Sequence, residues 1–473
     1  MQTYAVKNRV LFLLAVAVTG AAAGSAIWAF FFLMNLGLGL LWTVLPNHIG
    51  FAAFPIVLCA AGGIVVGLVQ KHVGDQPEEL NEVMHTVKVT GRYPYDKLGR
   101  TAAAALAPLV FGGSIGPEAG LTGIIAGLCT WVGERMRRFG VDFQELTRLG
   151  MSAALSAIFA APLYGFVAPL AGDPTRDEQI VPPKRRKAVL YAVAVIGALA
   201  PFVTLQTLFG RAGGLPHFDG MSIGQTELLW AIPLLIVGAT AGWFYHGFDR
   251  AARALAGLFG SKIVARAVFA GLALGAIGVA LPFVMFSGEH QLTELANEWT
   301  GMAAIALLAT GVLKLFLTPL CIHCGWRGGT IFPLVFSGAC LGYAVASVSG
   351  CDAVFCVAVT AAAVCGGAMR NPVMAALLLV LCFPVTALPA TLLAAAVGSA
   401  VPLPHAWRRG ANEKGAHGPE RNTGEDETSA AERSAQPAGG RAENGGGACP
   451  TDANTDARPA TRQGGAAQPK EPR

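Results

Sequence analysis

Charged residues are scarce in this chain, and their scarcity limits what kind of protein it is. Only 13% of its 473 residues are Asp, Glu, Lys or Arg, whereas 53% are hydrophobic. An ordinary soluble domain carries roughly 25% charged residues. The mean hydropathy of +0.53 points in the same direction. The composition therefore excludes an ordinary soluble protein and predicts one that lies in a membrane.

Patterns typical of enzymes and metal proteins are also missing. No HExxH, GxSxG or paired-aspartate motif occurs in the sequence, so a catalytic centre is not predicted. The 10 cysteines follow no disulfide-like spacing. Cys321 and Cys324 flank His323, but no second ligand pair stands at a spacing that zinc uses, and we interpret them as packing residues. We expect no metal, no cofactor and no enzymatic activity.

What the chain does contain is a series of apolar stretches between Leu11 and Leu403. Several reach the ~20 residues that a membrane-spanning helix needs. Others are shorter, or are interrupted by some of the 59 glycines and 28 prolines. Half-length and broken helices are typical of transporters, in which they meet inside the membrane. We predict an all-α polytopic membrane protein built from tilted, partly half-length helices.

Basic loops indicate the orientation of the chain. Clusters at 135–138, 184–187 and 408–409 are predicted to face the cytoplasm, because cytoplasmic loops are enriched in Lys and Arg. We attribute the net charge of +5 to this topology and expect no nucleic-acid partner. Residues 406–473 contain almost no large apolar side chain and are predicted to form a disordered cytoplasmic tail. The protein is expected to be a multi-pass protein of the plasma membrane.

Glu118 is the only acidic residue between Lys97 and Glu134, and it lies in the run GGSIGPEAGLTGIIAGL. A carboxylate inside hydrocarbon is costly, so it is read by default as part of an ion or substrate pathway. The glycines before it let the backbone approach a ligand, and the first N–H groups of the following helix point at an anion. Glu118 itself can be that anion. Once protonated, it would leave the site to a diffusible one.

A second glycine-rich turn, GWRGGTIFP from Gly325 to Pro333, opens another apolar stretch. Two such turns are able to converge on one anion, as half-helix N-termini do in inverted-repeat transporters. The alternative is that these glycines serve only close packing of helices. The sequence leaves both interpretations open.

At these motifs the chain resembles the CLC family of chloride channels and chloride/proton exchangers, over nearly all of residues 1–405. GGSIGPEAG is similar to the family's GxxGxEGP element and GGTIFP to its GGxFxP element. The runs FAAPLYGFVAP, from Phe159, and MRNPVMAALLL, from Met369, look like the two copies of an APLxG-type signature. The resemblance implies a CLC-like inverted repeat, with halves of roughly 1–210 and 211–405, and a homodimer with one pathway per subunit.

The resemblance also implies a set of site residues. Glu118 falls on the family's external gating glutamate. Ile331 and Phe332 take the role of offering backbone N–H groups to chloride. The remaining implied anion-binding positions lie in the filter loops and are Gly74, Gly116, Pro117, Ala119, Gly329 and Thr330.

Three departures from the family pattern bear on the mechanism. Gly74 stands where the family has a serine whose hydroxyl helps to hold chloride. Pro404 stands where an inner tyrosine closes the cytoplasmic end. The position of the exchangers' internal glutamate is Gly172, with Asp173 beside it as the residue left for a proton pathway.

These losses favour a glutamate-gated chloride pathway that is channel-like and poorly coupled to protons. A chloride/proton antiporter of the same family is the alternative. An organic-anion secondary carrier using the same helix N-termini, or a membrane-embedded enzyme, is an alternative of another class. Transported chloride is the expected ligand and the lipid bilayer the expected surroundings.

A few other polar residues occur in or beside apolar stretches. Lys314 is expected either to pair or snorkel to the interface, or to raise the local potential for anions. Glu289 and His290 are predicted to lie at a solvated boundary. Tyr245, near the end of an apolar stretch, is interpreted as an interface anchor.

Overall fold

The computed structural model describes residues 2–74, 76–96, 98–136, 143–159, 185–210, 213, 216–380 and 382–404. Within these ranges the chain forms helices and connecting segments and no strand. The predicted all-α architecture is therefore confirmed. The predictions for Gly172, Asp173 and the tail at 406–473 fall outside the described residues, and the division into two repeats remains a prediction.

The helices are numbered here along the described chain. Their bounds are α1 Gln2–Leu38, α2 Leu45–Ile49, α3 Phe54–Val73, α4 Leu80–Thr90, α5 Leu98–Val110, α6 Glu118–Met136, α7 Phe143–Ile158, α8 Arg185–Phe209, α9 Gln225–Gly257, α10 Ile263–Ala280, α11 Glu289–Glu298, α12 Ala304–His323, α13 Ile331–Ser349, α14 Ala353–Met369, α15 Pro372–Leu379 and α16 Leu388–Ala400. A π-helical turn, Gly39–Val44, joins α1 to α2.

In the described part of the chain, 7 helices are long and apolar enough to cross a membrane. Four further apolar helices are shorter, at 10–17 residues. The seven candidate spans are Phe12–Asn47, Phe54–Val73, Val189–Phe209, Gln225–Gly257, Ile263–Ala280, Ala304–His323 and Ile331–Ser349. The expected mixture of full-length and short helices is thus present.

Glycines set how closely two of the long helices approach. α3 packs antiparallel against α10: a Cβ added at Gly63 would meet the backbone of Ala267 and Val268, and one at Gly275 would meet Ile56. Without side chains at these points the two backbones come into direct contact. Small residues are used in this way where helices pack inside membranes.

α13 is the most deeply enclosed of the candidate spans, because 83% of its apolar 18-residue stretch is buried inside the protein. Both α12 and α14 pack against it. Both α6 and α13 begin directly after a glycine-rich turn, at Glu118 and Ile331. The fold therefore brings the start of a helix into the interior twice, at two points far apart in the sequence.

Candidate functional site

The two glycine-rich turns meet in the interior and are joined through their backbones. The Gly116 N–H donates to the Gly329 carbonyl at 2.8 Å, and the Gly329 N–H donates to the Gly116 carbonyl at 2.7 Å. This pair of bonds fixes the N-terminus of α6 beside the N-terminus of α13. Of the two interpretations of the turns, the structure supports convergence on a common point.

The Glu118 side chain spans the gap between the two helix starts. It is buried, with 1% of its surface exposed. Its Oε1 accepts a hydrogen bond of 2.6 Å from the Ile331 N–H, which lies 213 residues further along the chain. The N–H groups of Glu118 itself and of Phe332 also face the carboxylate. The partial positive charges of both helix N-termini therefore act on one carboxylate.

The second carboxylate oxygen of Glu118 differs from the first in its hydrogen bonding. Oε2 is buried and has no hydrogen-bond partner among the described residues. An unsatisfied buried acceptor is costly and is uncommon in native structures. The contacts of Glu118 thus hold one oxygen and leave the other unsatisfied, which suits a side chain that is able to leave its position.

Glycine is required at both turns because the carboxylate fills the space that a side chain would take. A Cβ added at Gly116 would overlap Glu118 Oε2, and one added at Gly329 would overlap Glu118 Cδ. Neither glycine has a positive φ angle. Their role is therefore to leave room for the carboxylate rather than to supply an unusual backbone conformation.

Buried apolar side chains lie in and beside the two turns that hold the carboxylate. Ile115, Trp326 and Phe332 are each no more than 1% exposed. The Phe332 ring stacks on Phe159, with ring centroids 5.5 Å apart. The indole N–H of Trp326 donates to the Ala267 carbonyl at 2.8 Å, which ties the second turn to α10. In such low-dielectric surroundings, the interaction of the amide dipoles with an anion is strong.

Most of the predicted site residues come together at this point. Pro117 and Ala119 flank Glu118 and are buried, while Thr330 directly precedes Ile331. Gly74 lies elsewhere: it ends α3 with a φ of +83°, and a side chain there would meet open space. The last turns of α3 nevertheless reach the approach to the second turn, because a Cβ on Gly325 would overlap Gln70.

Tyr245 is half-buried on α9 and packs against the hydrophobic core. Its interpretation as an interface anchor stays a prediction. Pro404, the position of the family's inner tyrosine, is exposed in the segment after α16.

Lys314 lies on α12 and is buried in a cage of backbone carbonyls. Its exposed fraction is 0%, and its Nζ donates to the carbonyls of Phe283, Val284, Met285 and Phe286 at 2.9–3.2 Å. The expectation that it pairs is confirmed, with backbone carbonyls as its partners. The four carbonyls belong to the 283–286 loop. This loop contacts the first glycine-rich turn, because the Phe286 N–H donates to the Gly112 carbonyl at 2.9 Å.

The prediction of a solvated boundary at Glu289 and His290 is wrong. Glu289 begins α11 and is 2% exposed. His290 Nε2 lies 3.0 Å from Asn35 Oδ1 on α1. The polar run FSGEHQ looked like a surface loop, but it contacts α1 through His290 and Asn35 and α13 through Gly288 and Phe336. A local sequence pattern cannot show such contacts.

The chain is similar to known proteins over most of its length. Residues 56–402 match the family model described as "Voltage gated chloride channel". The chain belongs to this family. The protein named "Putative ion-transport protein YfeO" from Escherichia coli O7:K1 is 27% identical over 315 residues, which cover 64% of this chain and 71% of the relative. The protein of the same name from Shigella flexneri matches equally well.

Solved structures share the fold of this voltage-gated chloride channel family member. "Crystal structure of a CLC-type fluoride/proton antiporter" has a TM-score of 0.62 at 20% identity, covering 83% of this chain and 94% of that one. "X-ray crystal structure of a slow cyanobacterial Cl-/H+ antiporter" has a TM-score of 0.67 at 17% identity, covering 86% and 98%. The implied CLC fold is confirmed, and the chain is a multi-pass membrane protein of an anion-transporting family.

Proposed function

We propose that this protein moves chloride across the plasma membrane through a pathway that Glu118 opens and closes. One observation carries the proposal: the Glu118 carboxylate occupies the point where two helix N-termini meet, with Oε1 bound to Ile331 and Oε2 without a partner in the described chain. A helix N-terminus is a ready site for an anion. The carboxylate is therefore well situated to compete with a diffusible anion for the same N–H groups.

Gating follows from the charge of this carboxylate. As an anion it holds the amides of Ile331 and Phe332. Protonation removes the charge that these amides attract, so the side chain gives way to chloride. The implied anion-binding residues Gly116, Pro117, Ala119, Gly329 and Thr330 surround the volume that the side chain would vacate. Gly74 is proposed for the inner approach.

Channel-like conduction is the first candidate for the mode of transport. It rests on the sequence departures at Gly74, Pro404 and Gly172, which remove groups that the family uses to hold chloride and pass protons. We propose chloride as the transported ligand, with no resident cofactor. By analogy with the family, the protein would work as a homodimer with a cytoplasmic C-terminal tail.

A chloride/proton antiporter is the second candidate, with Asp173 as the residue that the alignment leaves for the proton pathway. Two solved proteins with this fold are described in their titles as antiporters. An acid–base pair between Asp249 and His323 on two candidate spans also favours proton movement. The two candidates share the gate at Glu118 and differ in whether each cycle moves a proton.

Glu118→Gln tests the gate. Gln keeps an oxygen for the Ile331 N–H but is never charged, so we expect chloride flux to persist and its dependence on pH and voltage to disappear. The purified protein is reconstituted in chloride-loaded liposomes, with valinomycin and potassium to carry the compensating charge. External chloride and pH are recorded together after dilution.

Glu298→Gln, the same substitution at an exposed position on α11, is the matched control and should behave like the unmodified protein. A Glu118→Gln variant with unchanged pH dependence would show that the gate lies elsewhere. Chloride efflux without proton movement in the unmodified protein favours the channel, and uphill proton uptake favours the antiporter.

A further inference from the structure

A groove of about 450 Å³ lies on the surface between α9 and α16. Ile236, Ala239 and Trp243 of α9 line it, together with Val397 of α16 and Val401, which follows that helix. Its α9 side is open to the surroundings, since Ile236 is 61% exposed. Because α9 is a candidate membrane span, these surroundings are lipid hydrocarbon. The anion site described above does not use this groove.

One end of the groove lies where α9 leaves the hydrocarbon. At about 1.5 Å per residue, Trp243 is about 27 Å along the helix from Gln225, and the hydrocarbon core of a bilayer is ~30 Å thick. Tryptophan is enriched at such membrane–water interfaces. The Trp243 indole N–H donates to the Pro402 carbonyl at 3.2 Å, which fastens this end to the segment after α16. The groove therefore runs from the apolar interior of the membrane to the level of the lipid headgroups.

Positive charge is concentrated at the headgroup end. The Arg370 guanidinium donates to the Val401 carbonyl at 2.7 Å, and Val401 is part of the groove lining. A guanidinium presents its N–H groups in a planar fork that matches the oxygens of a phosphate. Arg250 follows Trp243 by seven residues, so it continues the same face of α9 beyond the groove, and it is exposed. This end of the groove is thus complementary to an anionic headgroup.

The backbone at Arg370 indicates that its side chain has a specific role. Arg370 ends α14 with a φ of +56°, in the left-handed region in which glycine is the usual residue at a helix C-terminus. A non-glycine residue in this region is strained, and such strain is concentrated at ligand clamps and other functional sites. The chain therefore has an arginine at a position that favours glycine, and its guanidinium reaches the end of the groove.

We propose that this groove binds one anionic phospholipid of the surrounding membrane, with an acyl chain between α9 and α16 and the phosphate on Arg370. The bilayer supplies both parts of this ligand at the depths that the groove requires. An apolar chain lies beside Ile236, and an anionic phosphate lies beside Trp243 and Arg370. The site is independent of the gating role proposed for Glu118.

Two other occupants compete with this proposal, a second copy of the chain that covers the groove and a simple anion on Arg370. Trp243 separates them, because a lipid with brominated acyl chains quenches the fluorescence of a tryptophan that it lies against. The protein is reconstituted in phosphatidylcholine vesicles that contain the same small fraction of either dibrominated phosphatidylglycerol or dibrominated phosphatidylcholine. Subtracting the signal of the Trp243→Phe variant isolates Trp243 from the other tryptophans.

We expect phosphatidylglycerol to bind beside Trp243 about fivefold more strongly than phosphatidylcholine, which is the contribution of one basic residue next to an anionic lipid. Arg370→Gln should abolish this preference, whereas Arg370→Lys keeps the charge and should retain most of it. Arg100→Gln, at an exposed arginine on α5, is the matched control and should keep the full preference.

A second variant tests the acyl chain. Thr240 lines the groove and is exposed, so Thr240→Phe fills part of the groove without disturbing the core. Quenching of Trp243 by both lipids should fall in this variant. Thr204→Phe, at an exposed position on α8, is its matched control and should leave the quenching unchanged.

Equal quenching by the two lipids in the unmodified protein, or a preference that survives Arg370→Gln, would refute the headgroup contact. Unchanged quenching in the Thr240→Phe variant would refute the acyl-chain contact, and this exposed substitution decides the matter even where Arg370→Gln does not fold. Absence of quenching by either lipid would show that a second copy covers the groove. Loss of the preference on addition of free glycerol 3-phosphate would show a simple anion site.

Discussion

Two buried charges in this protein, Glu118 and Lys314, are accommodated in opposite ways. Both are almost fully enclosed, with 1% and 0% of their surface exposed. Lys314 Nζ has four carbonyl partners, all from one short loop. Glu118 has a partner for Oε1, whereas Oε2 has none among the described residues. A lysine has only three donors, so the ammonium is fully satisfied and the carboxylate is not.

On the proposed function, this difference distinguishes a charge that stabilises the fold, Lys314, from one that serves transport, Glu118. A buried charge is stable only when its hydrogen-bonding capacity is filled, and removing its partners or the charge itself then costs several kcal/mol. A gate must instead have two positions of similar free energy, and a fully satisfied carboxylate would remain in one of them. The comparison predicts that Lys314 dominates stability while Glu118 dominates transport.

Lys314→Met should have the largest effect on stability. The substitution leaves the carbonyls of residues 283–286 without their donor in a buried setting, and we expect a loss of about 3–5 kcal/mol. The 283–286 loop also binds Gly112, so the first turn would loosen with it. The measurement is the temperature at which half of the detergent-solubilised protein is lost from its size-exclusion peak.

Lys262→Met, at an exposed position where α10 begins, is the control and should change stability by less than about 0.5 kcal/mol. If the Lys314→Met variant were as stable as the unmodified protein, Lys314 would not be a charge that stabilises the fold.

Gly329→Ala should have an intermediate effect, because its Cβ would overlap Glu118 Cδ. We expect a loss of about 1–3 kcal/mol, as for other overpacked sites. In a Glu118→Ala background the overlap is absent, so the same glycine substitution should cost less than half as much. Thermal unfolding of the four proteins in this double-mutant cycle measures the coupling.

Gly99→Ala is the control for the cycle, since a Cβ at Gly99 meets no atom within 4 Å. Additive effects of Gly329→Ala and Glu118→Ala would mean that the carboxylate does not pack against Gly329.

Glu118→Gln should have the smallest effect on stability, within about 1 kcal/mol. The amide oxygen still accepts from the Ile331 N–H, and the unsatisfied charge is gone. The same variant should abolish the pH dependence of chloride flux, so transport and stability respond in opposite ways to the two buried charges. A marked drop in thermal stability would show that Glu118 is held as firmly as Lys314.

Sequence reasoning found Glu118 because a single carboxylate in an apolar region is conspicuous, and glycines on both sides of the site indicated a close backbone approach. It also found the helix starts that follow the two turns. These features are local, since they depend on residues within a few positions of one another.

The features that the sequence left open or predicted wrongly have a common cause. The sequence left open whether Lys314 pairs, and its partners come from the 283–286 loop, about 30 residues away. Glu289 resembled a surface residue, but it is buried, and its helix α11 packs against α13. A position in the linear pattern gives no indication of which distant segment will lie beside it.

By itself, the sequence determined that this chain crosses a membrane, that its helices are of mixed length and that Glu118 opens a helix in apolar surroundings, because composition and local periodicity set these properties. Only the tertiary structure decided that α6 and α13 start side by side, that Lys314 is caged and that Asp249 meets His323. These arrangements depend on the packing of helices far apart in the chain, which close approach at glycine makes possible.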